Sequence, residues 1–122
     1  MRFYFMNVKI LIAAPLLLIT SVALALDCAS LTEEAKQMGV HIPSSESVMM
    51  TTGKGRVAFH SGPDAGCKEK SIFVLSGESL NAYLEYKGFT FVLYQNPRDK
   101  SEATGWVESA RLKETGYGNG PN

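Results

Sequence analysis

The chain has 122 residues, with 12 basic and 12 acidic side chains and 45% hydrophobic residues. That length suits one small domain with a modest core. No basic run or stripe appears, which argues against nucleic acid and against electrostatic docking on anionic lipid.

The N-terminal stretch reads as an export signal. Arg2 and Lys9 precede an apolar run from Ile10 to Ala25, which ends in Ala23-Leu24-Ala25. A positive start, an apolar middle and an A-x-A site are the three parts of a secretory signal peptide. The run is 16 residues long with Pro15 inside it, short of the about 20 apolar residues a spanning helix needs. Cys28 follows closely, but Asp27 stands where a lipid-attachment site takes a small residue. The expectation is cleavage near Ala25 and export to the periplasm, with no stable membrane insertion afterwards. Removing Arg2 and Lys9 leaves ten basic against twelve acidic residues, a slightly acidic mature chain.

Residues 26–52 read as an N-terminal helix and loop. Ala29 to Met38 holds good helix formers, and Ser30 with Glu33 has capping-box spacing, with Thr32 as a second possible cap. Gly39 stops the helix. His41 to Thr52 is polar, with Pro43 and several serines, and reads as a loop with Met49 and Met50 packing on the domain edge.

From Gly53 the pattern changes to short strands. Gly55 to His60 alternates through Val57 and Phe59, and Ser61 to Gly66 is turn chemistry. Ser71 to Ser76, Leu80 to Tyr86 and Phe89 to Gln95 read as strands, the last two joined by a Lys87-Gly88 hairpin turn. Asn96 to Thr104 reads as a loop, Gly105 to Glu108 as a fifth strand, and Ser109 to Leu112 as one helical turn. Residues 116–122 are glycine-rich and are expected to be disordered. Five short strands predict an all-β fold.

Cys28 and Cys67 are the two cysteines, 39 positions apart. In an oxidising compartment a lone pair forms a disulfide, which ties the N-terminal segment to the domain. A Cys67–His60 dyad requires a free thiol and is set aside on that ground. His41 and His60, 19 apart, do not make a zinc spacing. Asp64 with Glu69 lacks the oxygen density of a calcium loop, and Gly53-Lys54-Gly55 lacks the helix a phosphate loop requires. No catalytic residue, metal site or cofactor is therefore expected.

The stretch from Gly55 to Leu112 resembles the bacterial SH3-like domain family. The resemblance rests on the first strand entering Ser61-Gly62-Pro63, then Leu75 to Leu80, then Lys87 to Val92, then Gly105-Trp106-Val107, with Leu112 closing. It covers about half of the chain. The family often has tryptophan where Phe89 stands, and the loop from Gln95 to Thr104 is longer than its usual hairpin. The resemblance implies a small five-stranded SH3-like barrel over residues 53–115, preceded by a short helix. It also implies a non-enzymatic exported binding module that recognises cell-wall peptide or a protein partner. Tyr83, Phe89, Tyr94 and Trp106 are the candidate binding residues, if the barrel brings them to one exposed patch. The alternative is a periplasmic immunity or inhibitor protein that uses the Gln95–Thr104 loop to plug a toxic enzyme.

Overall fold

The computed structural model describes Pro15 and residues 26–120; the expected signal peptide, apart from Pro15, lies outside the described residues. One helix, α1 (Cys28–Met38), precedes eight strands: β1 (Val40–His41), β2 (Val48–Thr51), β3 (Arg56–His60), β4 (Lys68–Leu75), β5 (Ser79–Tyr86), β6 (Phe89–Gln95), β7 (Glu102–Glu108) and β8 (Leu112–Tyr117). The pairings are antiparallel throughout. The strands form one open sheet in the order β4-β3-β7-β6-β5-β2-β8, with β1 pairing β5. The all-β expectation holds, but the five-stranded barrel is replaced by this eight-stranded open sheet.

The three additional strands come from segments read as loop or tail. In β2, Met49 and Thr51 are buried while Met50 is exposed, so the polar stretch hides a short alternating strand. It lies between β5 and β8, which joins residues on both sides of the expected boundary at residue 53. Gly116 and Tyr117, expected in a disordered tail, belong to β8, and the Asn119 amide donates to Ser44 O at 2.9 Å. The expected loop before the fifth strand contracts, because β7 begins at Glu102 and the Asn96 amide donates to Ser101 O. Ser109–Arg111 forms the expected single turn, as a 3-10 helix.

The sheet has two buried faces. On the inner face, Met49, Val57, Phe59, Val74, Leu80, Ala82, Val92 and Val107 form the main core. Because these come from β2 through β7, the sheet must curl round to bring them together. Gly105 lies on this face where β7 passes β3 closely. A Cβ there would stand 3.0 Å from His60 O and 3.2 Å from the Phe59 ring.

On the outer face, Ala35 of α1 packs with Leu84 and Trp106, flanked by Tyr86, Phe89 and Phe91. A bulge in β5 makes this possible. Ala82 faces Val92 in register, whereas Leu84 faces Phe91, so one residue is gained at Tyr83. Leu84 and Tyr86 are thereby turned from the inner face to the outer one.

The helix is held from both ends. Asp27, rather than Ser30 or Thr32, is the N-cap: its carboxylate accepts from the Ser30 amide at 3.2 Å and the Ser30 hydroxyl at 2.6 Å. Cys28 forms a disulfide with Cys67, with a Cα–Cα distance of 5.8 Å, and this fastens the first turn to the segment before β4. The Gly39 amide donates to Ala35 O and ends the helix.

Candidate functional site

The four candidate aromatics do not form one patch. Trp106 is 1% exposed under α1, and its indole N–H donates to Thr32 Oγ1 at 3.1 Å. Thr32 in turn donates to Ser61 O. Trp106 is therefore a clamp between helix and sheet and is withdrawn as a binding residue. Phe89 is half-buried with its ring edge against His60, centroids 5.0 Å apart. Tyr94 lies on the inner side of β6 and donates its hydroxyl to Glu78 Oε1 at 2.7 Å. That bond holds its phenol above the usual tyrosine pKa, with burial adding in the same direction. Tyr83, the bulge residue, is 44% exposed and lies 6.5 Å from the Phe91 ring. Strict alternation along β6 separates Tyr94 from Phe89 and Phe91, and the sequence pattern alone could have shown that.

Cys67 is bonded to Cys28, so no thiolate is available to His60. Among the described residues no group of His, Cys, Asp or Glu is arranged for a metal ion. Asp64 caps its own turn by accepting from the Gly66 amide. The Lys54 and Gly55 carbonyls face the Arg111 guanidinium, the reverse of the N–H cradle a phosphate needs. In the loop between β6 and β7, Asn96 and Asp99 accept from the amides two residues on.

Two shallow depressions among the described residues are of a size to hold a small group. One, of about 310 Å³, is lined by Glu78, Ser79, Tyr94, Gln95 and Pro97. The other, of about 250 Å³, lies on the outer face and is lined by Arg56, Ala58, His60, Lys68, Glu108 and Arg111. Its neighbours on β4 are apolar and exposed: Phe73 at 38% and Leu75 at 56%. The Arg56 guanidinium lies 4.2 Å above the Phe73 ring, and Arg56 pairs with Leu75 in register. An apolar strip and a largely cationic hollow thus share one side of β3 and β4. The alternation that buries Val57 and Phe59 implied that Arg56, Ala58 and His60 share the opposite face. What the sequence could not supply was the contribution of Lys68, Glu108 and Arg111 from distant positions.

Comparison of the chain with protein-family models, curated proteins and solved structures finds no match.

Proposed function

We propose that the chain is an exported, non-enzymatic binding module that engages an acidic protein partner through the outer face of β3 and β4. The observation that carries this reading is the juxtaposition on that face of exposed Phe73 and Leu75 with Arg56 and Lys68. Large apolar side chains beside cations that form no ion pair among the described residues suit a surface that is both hydrophobic and negatively charged. The signal-like leader, the disulfide and the resemblance to SH3-like domains support export and a binding role.

The test is affinity capture from envelope extract, with the chain expressed from its full sequence and purified after export. A partner that binds stoichiometrically, is lost with Phe73→Ser or Leu75→Ser and is released by salt upholds the reading. The variants must keep the circular dichroism of the parent. Retention on purified peptidoglycan with no protein partner would sink the protein-partner assignment, and hydrolase activity in the pure protein would sink the non-enzymatic one.

A further inference from the structure

The outer-face depression has a built-in cause. Between the pairs Ala58↔Phe73 and His60↔Lys68, β3 advances two residues while β4 advances five. The three extra residues make a bulge in β4 beside Ala58, whose small side chain is one of those lining the depression. Lys68 is set across from His60 at one end, and Arg56 is held over Phe73 at the other. Glu108 and Arg111, at the end of β7 and the turn after it, line the hollow as well.

The charges there are unequally engaged. Arg111 is committed to the protein, with its guanidinium donating to the carbonyls of Thr52, Lys54, Gly55 and Arg56. Arg56 and Lys68 form no ion pair among the described residues, and neither does Glu108. His60 is only 4% exposed, and its Nδ1 lies 3.1 Å from Trp106 O. A carbonyl only accepts, so Nδ1 carries the hydrogen, and Nε2 is the acceptor nitrogen of that tautomer. Nε2 has no partner among the described residues, yet no wholly buried side-chain nitrogen or oxygen among them is unsatisfied. Nε2 is therefore not wholly buried, and His60 is among the residues that line the depression.

We infer that this depression binds an acidic peptide segment, taking its carboxylate on Arg56 and Lys68 and a peptide N–H on His60 Nε2. The inference rests on the proposed binding role and assigns it a ligand chemistry. Two cations call for a carboxylate or a phosphate. Glu108 and the Nε2 lone pair in the same hollow both disfavour a dianion, whereas a peptide supplies one negative charge and a donor together. A residue next to the acidic one then rests on the Phe73 and Leu75 strip.

The test is an NMR titration of the isotope-labelled protein, expressed from its full sequence and purified after export. The probes are a blocked leucine-glutamate-leucine tripeptide, its glutamine counterpart, that counterpart with a free C-terminus, and inorganic phosphate. The glutamate peptide should shift the Ala58, His60 and Glu108 resonances and bind at least about tenfold more tightly than the blocked glutamine peptide. Lys68→Gln, an exposed change that leaves the fold alone, should weaken it, and Arg56→Gln with Lys68→Gln should weaken it at least about tenfold. Glu108→Gln should tighten it. If the free C-terminus binds as tightly as the glutamate side chain, the carboxylate site stands and its source is a chain end.

Phosphate binding tighter than either carboxylate, equal binding of the blocked glutamine peptide, or an unchanged affinity in Glu108→Gln overturns the inference. A partner that depends on Phe73 and Leu75 but is captured equally by the Arg56→Gln/Lys68→Gln protein leaves the binding role standing while this ligand assignment fails.

Discussion

Trp106 and Thr32 show how much one hydroxyl decides. The indole N–H is buried, and its acceptor is a threonine on a different element that itself donates to Ser61 O. Thr32→Val keeps the shape and removes the acceptor, leaving a buried donor unpaired. Denaturant unfolding should show a loss of about 1–3 kcal/mol, with Thr32→Ser close to the parent. Asp27 gives a second prediction at this scale. The Ser30 hydroxyl, then the Ser30 amide, hold its carboxyl below the ordinary value of 3.8. A depressed carboxyl contributes stability above its unfolded pKa and loses it as pH falls through the folded value. The first turn of α1 should therefore fray below about pH 4, seen as faster amide exchange at Ser30, and Asp27→Ala should abolish that pH dependence.

At the scale of elements, the helix and the inner strands were legible because their periodicity is local. Cys28 to Met38 forms almost where its helix formers lie, and Phe89–Gln95 matches its strand residue for residue. The shift at Tyr83 was not legible. Leu80, Ala82, Leu84 and Tyr86 look like one face in the sequence, and only the pairing with β6 reveals that the last two turn outward. That bulge gives α1 a surface to cover, and the disulfide keeps it there. The chain-entropy model gives a 39-residue closure about 4 kcal/mol. Replacing both Cys28 and Cys67 by serine should cost about 2–4 kcal/mol. It should also loosen α1 first, so that Trp106 fluorescence shifts red at denaturant concentrations where the sheet's circular dichroism is intact. Simultaneous loss of both signals would show that helix and sheet form one cooperative unit.

The whole molecule depends on contacts between segments far apart in sequence, which is why its strand count was underestimated. Neither Val48–Thr51 nor Leu112–Tyr117 announces itself as a strand; each is fixed by pairing with the other and, for β2, with β5. The corner that gathers these parts is built on Thr51. It is 1% exposed, its Oγ1 lies 2.8 Å from Leu75 O, and it accepts from the Glu78 amide at 3.0 Å. Glu78 then accepts from the Leu75 amide and the Tyr94 hydroxyl through its two carboxylate oxygens. One threonine thus joins β2 to the turn between β4 and β5, and Glu78 passes the connection to β6. Thr51→Val keeps the volume but leaves the Glu78 amide without that acceptor and Leu75 O without that donor. It should cost about 1–3 kcal/mol, whereas Thr104→Val on the exposed side of β7 should stay within about 0.5 kcal/mol. If β2 closes the fold as the hydrogen bonds indicate, Thr51→Val should also speed amide exchange at Leu75 and Glu78, far away in sequence, as much as at its own neighbours. Faster exchange confined to β2 would instead mean that the sheet holds its curl without this corner.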